Sequence, residues 1–118
     1  MVRSIYPAEL QASGRRVWKA VTDIAELEEW EKVTLLEACR TADRLDDLAE
    51  AMEGQPLTVT NSKGDEVAHP LMVESRMQSV VYARLVAALR IPDSETGQVP
   101  QSRPTRGAYG VRPLKAVP

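Results

Sequence analysis

The sequence predicts a mainly α-helical protein, in which a helix, a long helix, a β-hairpin and a last helix precede a Pro-rich tail. A long amphipathic helix is predicted from about Trp30 to Met52, because apolar residues recur at alternating three- and four-residue steps from Leu35 to Met52. A strand–turn–strand pattern occupies about residues 57–68, and the last residues carry many prolines without apolar periodicity. The predicted divisions are an N-terminal arm (1–7), a helical core domain (8–92) and a basic Pro-rich tail (93–118).

The first helix has two candidate starts. Pro7 is suited to the first position of a helix, and Ser13 is suited to the cap. Gly14 lowers the helix propensity of this segment, and the helix is predicted most clearly over residues 14–22. Val17, Trp18 and Val21 share one side of that helix.

The long helix has a seam of aliphatic and small residues and a strongly acidic surface. Gly54 and Pro56 are suited to ending it. Small residues in a seam permit another helix to approach closely. The seam consists of Leu35, Ala38, Ala42, Leu45, Ala49 and Met52.

A β-hairpin is predicted between the long helix and the last helix. Residues 57–60 have strand-forming side chains, residues 61–64 have turn chemistry, and residues 65–68 return antiparallel. An isolated hairpin is marginally stable in water. We therefore expect it to lie on the helices or to pair with a neighbouring subunit.

The last helix begins at Pro70, runs to about Arg90 and carries apolar residues on two sides. Its broad stripe is predicted to pack on the long helix, with Tyr82 and Val86 on the opposite side. Tyr82 and Val86, with Val59 of the hairpin, are the predicted oligomer-interface residues; the alternative is that the two helix residues are simply exposed. The stripe consists of Val73, Met77, Val80, Val81, Leu85, Ala88 and Leu89.

Charge is distributed unevenly along a chain whose net charge is only -2. Residues 23–53 contain eleven acidic and three basic side chains, whereas the segments before and after them are mildly basic. A nucleic acid would avoid the acidic region and bind the basic ends. The alternative is that these basic side chains only solvate their segments. The candidate DNA-binding residues are Arg15, Arg16, Lys19, Lys63, Arg103 and Arg106.

The sequence offers little for catalysis, and we expect a protein that is not an enzyme. Cys39 is the single cysteine and lies within the long helix, where a small buried side chain is expected rather than a nucleophile. His69 is the single histidine, and its place before Pro70 is suited to starting a helix. We therefore predict no catalytic residues, no metal site, no cofactor and no small-molecule substrate.

No apolar run approaches the length that spans a bilayer, and the N-terminus has no secretory pattern. With one cysteine, an internal disulfide is impossible. These observations predict a soluble protein of a reducing cytoplasm, without a membrane partner.

Several stretches, in order and with matching spacing, resemble phage terminase small subunits, most closely those of actinobacterial phages and prophages. The similarity covers about residues 10–93; residues 37–44 and the junction at His69-Pro70 are its most specific parts. The stretches are Gly14-Arg-Arg-Val-Trp18, Leu36-Glu-Ala-Cys-Arg-Thr-Ala-Asp-Arg-Leu-Asp46, Leu57-Thr-Val-Thr60, Gly64 through Pro70, and Leu85-Val-Ala-Ala-Leu-Arg-Ile-Pro-Asp93.

The resemblance implies a non-catalytic homo-oligomer, usually a ring, in the host bacterial cytoplasm and not in the mature virion. It implies binding to double-stranded viral DNA and recruitment or regulation of the large terminase subunit, with the portal as a further candidate partner. The family has no catalytic motif to transfer, and the DNA-binding candidates rest on charge alone. Glu26, Glu28, Glu29 and Glu31 follow the basic helix, which makes the tail or Lys63 alternative DNA contacts. The alternative function is a small oligomerising regulatory or protein-interaction module without a DNA role.

Overall fold

The computed structural model describes residues 5–92, and three helices with one β-hairpin follow in the predicted order. The mainly helical fold class is thereby confirmed. The elements are α1 (Ala12–Ile24), α2 (Glu29–Met52), β1 (Thr58–Thr60), β2 (Glu66–Ala68) and α3 (Pro70–Leu89).

The end of α2 and the start of α3 have the local causes that the sequence suggests. Gly54 has a φ of 73° just after α2, a left-handed conformation that glycine adopts without strain. Pro70 occupies the first turn of α3, and His69 caps that helix because its Nδ1 accepts the Leu71 N–H at 3.0 Å. The predicted helix-start role of His69 is therefore confirmed.

α1 and α3 both pack on α2, which is the central helix of the fold. α1 runs antiparallel to α2, with Gly14 beside Asp43 and Val21 in the same cluster as Leu35. α3 is also antiparallel to α2, because its C-terminal Leu89 joins the cluster around Leu35.

The core lies where the N-terminal half of α2 meets the other two helices. Leu35, Ala38 and Cys39 have no exposed surface. The predicted seam is therefore buried in its first half, whereas Ala49 near its end is exposed. The main cluster consists of Leu10, Val21, Leu35, Cys39 and Leu89, flanked by Val17, Trp18, Leu27, Leu36 and Ile91.

The hairpin pairs β1 with β2 antiparallel, with Val59 opposite Val67. Its turn is closed by Asn61, whose Oδ1 accepts the N–H groups of Lys63 and Asp65, both at 2.9 Å. Every strand residue except Val59 is exposed. Within the described residues, the helices do not cover the hairpin. Its pairing with a neighbouring subunit stays a prediction.

Candidate functional surfaces

Asp43 of α2 caps the N-terminus of α1. Its side chain is only 6% exposed; Oδ2 accepts the Gln11 N–H at 2.8 Å and Oδ1 accepts the Gly14 N–H at 2.7 Å. Gln11, the residue before α1, supplies no side-chain cap of its own. The carboxylate therefore satisfies two of the free N–H groups at this helix end and places a negative charge at its positive pole.

Gly14 permits this contact because it has no side chain. A Cβ placed on Gly14 would lie 2.5 Å from the Oδ2 atom of Asp43, closer than atoms of these types approach. One turn further along α2, Asp46 accepts a hydrogen bond from the Ser13 hydroxyl. The start of α1 is therefore fixed to the middle of α2 through two carboxylates.

The basic residues Arg15, Arg16 and Lys19 all lie exposed on α1. Two of them have intramolecular contacts. The Arg15 guanidinium carbon lies 4.9 Å from the centre of the Tyr6 ring, and Arg16 donates to the Ser13 hydroxyl at 2.9 Å. The fold thus presents these three side chains on one accessible helix, with both guanidinium groups held near α1.

The structure does not bring Lys63 to the basic residues of α1. Lys63 occupies the hairpin turn, which follows the C-terminal end of α2, whereas α1 packs beside the earlier part of α2. Arg103 and Arg106 lie outside the described residues. The candidate DNA contacts on α1 and on the hairpin therefore form two separate surfaces.

Glutamates that follow α1 stabilise the N-terminus of α2. Glu28 and Glu31 make a reciprocal capping box, in which Glu31 Oε1 accepts the Glu28 N–H at 2.9 Å. Glu29 accepts from Lys32 at 3.2 Å. The acidic residues that follow the basic helix thus have a structural explanation, because acidic side chains stabilise a helix N-terminus.

A chain of ion pairs covers the outer side of α2. Arg40 reaches Glu9 at 3.1 Å and Glu37 at 3.5 Å, and Arg44 reaches Glu37 at 2.9 Å. The hydrogen bond from Arg44 lowers the pKa of the Glu37 carboxyl below its usual value. Arg40 and Arg44 are therefore engaged within the subunit.

The face of α3 that packs on α2 matches the predicted stripe only in part, since Leu89 of that stripe is buried in the core. Tyr82 is half-buried and lines a hollow with Ala42 and Leu45 of α2, and Val86, one turn further, is also half-buried. By contrast, Met77 and Val80 of the predicted packing stripe are 56% and 44% exposed. The predicted orientation is wrong for these residues.

The packed face of α3 is shifted towards Gln78 and Tyr82. Tyr82 has a large apolar ring that can be buried against α2 despite its polar end, and Gln78, one turn earlier, is also half-buried. The proposed interface role of Tyr82 and Val86 depended on their pointing away from α2, and it loses that basis. Val59, half-buried on the hairpin, stays an untested interface candidate.

Cys39 has no exposed surface, and burial, followed by the nearby Asp43 carboxylate, raises the pKa of its thiol to about 12. Burial likewise raises the pKa of Tyr82. The Cys39 thiol is therefore protonated near neutral pH and packs as a small apolar side chain, as its position in α2 suggested.

We expect the free energy of unfolding to fall when the pH rises above about 9, where the unfolded Cys39 thiol ionises. The folded-state pKa is the higher one, so this stability is complete below pH 9 and is lost towards pH 12. The contribution is at most about 1.4 kcal/mol per pH unit. Urea unfolding between pH 8 and about 10.5 should therefore show a shallower pH dependence for Cys39→Ala than for the wild type. Equal slopes in the two proteins would contradict the assignment.

Within residues 5–92, no group of three or more His, Cys, Asp or Glu side chains is arranged to hold a metal ion. Among the same residues, no helix combines the length and the apolar character needed to cross a membrane. No family model matches the chain, and no curated protein or solved structure is significantly similar to it.

Proposed function

We propose that this protein is a phage terminase small subunit, a non-catalytic adaptor that assembles with its own copies and binds double-stranded viral DNA. The contact between Gly14 and Asp43 is the observation that carries the proposal. It joins two of the stretches in which the sequence resembles that family, residues 14–18 and 37–44, and the second is among the most specific parts of the resemblance. The shared residues are therefore those that dock α1 on α2, and a resemblance in them is a resemblance in the architecture of the subunit.

The DNA-binding half of the proposal is supported by α1. Its three basic side chains are exposed, and the acidic residues that follow are partly engaged in the first turn of α2. Three cations are few for one subunit, because phosphate contacts supply most of the affinity for DNA. An assembly repeats this basic surface in every copy and makes binding multivalent.

Recruitment or regulation of the large terminase subunit belongs to the same proposal, with the portal as a further candidate partner and the host bacterial cytoplasm as the setting. The candidate contact is the basic tail with Arg103 and Arg106, which lies outside the described residues. Removal of residues 93–118 is expected to weaken binding to the large subunit while the helical core stays folded.

A protein-interaction module without a DNA role is the second candidate function. The contacts of Arg15 with Tyr6 and of Arg16 with Ser13 favour it, because both guanidinium groups already have partners within the subunit. Like the terminase small subunit, this candidate assembles with its own copies, but it does not bind DNA.

The two functions are separated by the mass of the assembly and by DNA binding over a salt series. We expect light scattering to show several times the 13.0 kDa chain mass, and double-stranded DNA to bind more weakly as salt rises. The double variant Arg15→Gln/Lys19→Gln should lose about tenfold or more in affinity and reduce the salt slope, since each phosphate contact contributes about 0.9 to it. Arg16 is left intact because it donates to the Ser13 hydroxyl, which in turn binds Asp46 of α2.

Lys63→Gln is the matched control for charge removal at the hairpin, and we expect it to bind DNA like the wild type. If Lys63→Gln weakens binding and the α1 variant does not, the DNA surface is the hairpin. If the wild type assembles but does not bind DNA at low salt, the second function is favoured. A monomeric wild type would contradict both.

A further inference from the structure

The outward side of α3 has an apolar stripe that no other described element covers. Met77, Val80 and Val81 are 56%, 44% and 40% exposed, and their spacing places them on one side of the helix. Ala88, two turns beyond Val81, is also exposed. An exposed apolar stripe of this kind is typical of a surface that binds another protein.

The charges that border this stripe are mainly positive, with two arginines and one glutamate. Arg84 lies about one turn beyond Val80 and Val81, Arg76 directly precedes Met77, and neither makes an ion pair with the described residues. The helix's one carboxylate, Glu74, instead accepts a hydrogen bond from Gln78 beside α2. The stripe therefore favours an acidic partner.

Pairing of this stripe with the same stripe of a second copy would oppose like charges. In an antiparallel pair centred on Val80, Arg76 of one copy meets Arg84 of the other, since both lie four residues from the centre. In a parallel pair, each arginine meets its own counterpart. Such pairs are destabilising when water is excluded from them.

A complementary surface lies at the N-terminal end of α2. Trp30 and Val33, three residues apart, are 68% and 69% exposed, the highest values among the large apolar side chains of residues 5–92. Residues 26–32 around them contain four glutamates and one lysine, and the Glu29 side chain is 91% exposed. This surface joins a large aromatic anchor to an acidic border, a combination typical of interface hot spots.

We propose that the outward stripe of α3 binds the Trp30–Val33 surface of a second copy, so that subunits associate head to tail. The apolar side chains supply the buried area, and Arg76 and Arg84 face the glutamates of residues 26–31. Because the two surfaces differ, each subunit keeps one surface free for the next copy, and the contact propagates into a closed ring or an open chain. The inference rests on the self-assembly in the proposed function and specifies its interface.

Two variants, each with one surface disrupted, test the contact. Met77→Glu/Val80→Glu disrupts the α3 stripe, and Trp30→Ala/Val33→Ala disrupts the α2 surface. Every changed side chain is exposed, so both proteins should keep the wild-type helical circular dichroism. In sedimentation over a concentration series, each variant alone should have the mass of one 13.0 kDa chain.

An equimolar mixture of the two variants should form a species of twice the chain mass and nothing larger. Each variant retains the surface that the other has lost, so one contact forms and no further copy can be added. A contact between identical surfaces cannot produce this result. Leu57→Ser, which changes a 67% exposed apolar residue before β1, is the control and should keep the wild-type mass.

The inference is overturned if the Trp30/Val33 variant assembles like the wild type, or if the mixture forms no dimer. Other outcomes of these measurements test the proposed function rather than the interface. A monomeric wild type shows that self-assembly itself is absent, and an assembled wild type that does not bind DNA removes the DNA role while the interface stands.

Discussion

Asp43→Ala is expected to lower the free energy of unfolding by about 3 kcal/mol, because hydrogen bonds to a charged group contribute roughly 1.5–3 kcal/mol each. The substitution leaves the N–H groups of Gln11 and Gly14 without their acceptor at a packed helix end. It also removes the negative charge at the positive pole of α1. Urea unfolding followed by circular dichroism at a fixed protein concentration measures the loss.

Two further substitutions define the origin of this effect. Asp43→Asn retains one acceptor oxygen and should fall between the wild type and Asp43→Ala. Gly14→Ala should also be destabilising, although alanine is ordinarily the better helix residue by about 1 kcal/mol. Its Cβ would meet the Asp43 carboxylate, which cannot withdraw without breaking the two hydrogen bonds.

Asp46→Ala is the matched control, since Asp46 also receives a hydrogen bond from α1 but is exposed to solvent. It should cost no more than about 1 kcal/mol. If Asp43→Ala is as mild as this control, the cap does not stabilise the docking of α1.

The order of α2, the hairpin and α3 was predictable because their boundaries have local causes. The long helix was expected from about Trp30 to Met52 and is observed from Glu29 to Met52. Gly54 and Pro70 act on the chain nearest to them, through backbone conformation and a missing N–H, and need no tertiary partner. The same is true of the turn at residues 61–64.

The cap at Asp43 was not predictable from local sequence. Asp43 is one of many carboxylates in an acidic helix, and the pattern suggested a solvent-exposed residue. Its burial depends on Gly14, which is 29 positions away. The one available signal was that Gly14 and Asp43 both lie in stretches that resemble the same family.

The orientation of α3 was not predictable because the helix has apolar residues on two sides. Hydrophobicity favoured the side with more aliphatic residues, Met77, Val80 and Val81 among them. α2 instead receives the side with Gln78 and Tyr82, and Tyr82 lines a hollow with Ala42 and Leu45. A periodic pattern identifies faces, and only the shape and chemistry of the partner select one.

Tyr82→Asp and Val81→Asp should have opposite consequences although the two residues are adjacent. Tyr82→Asp removes aromatic packing and places a carboxylate in a hollow that Asp46 also lines, so we expect a loss of about 3 kcal/mol. Val81→Asp changes a 40% exposed side chain, should keep native helicity and should lower the mass of the assembly. Circular dichroism and light scattering on the same samples separate the two effects.

Tyr82→Phe is the control for the aromatic ring, and it should stay within about 1 kcal/mol of the wild type because it removes only the hydroxyl. The opposite pattern, in which Tyr82→Asp stays folded but dissociates while Val81→Asp assembles normally, would restore the orientation that hydrophobicity suggested. One pair of adjacent substitutions thus decides which side of α3 stabilises the subunit and which is available to another copy.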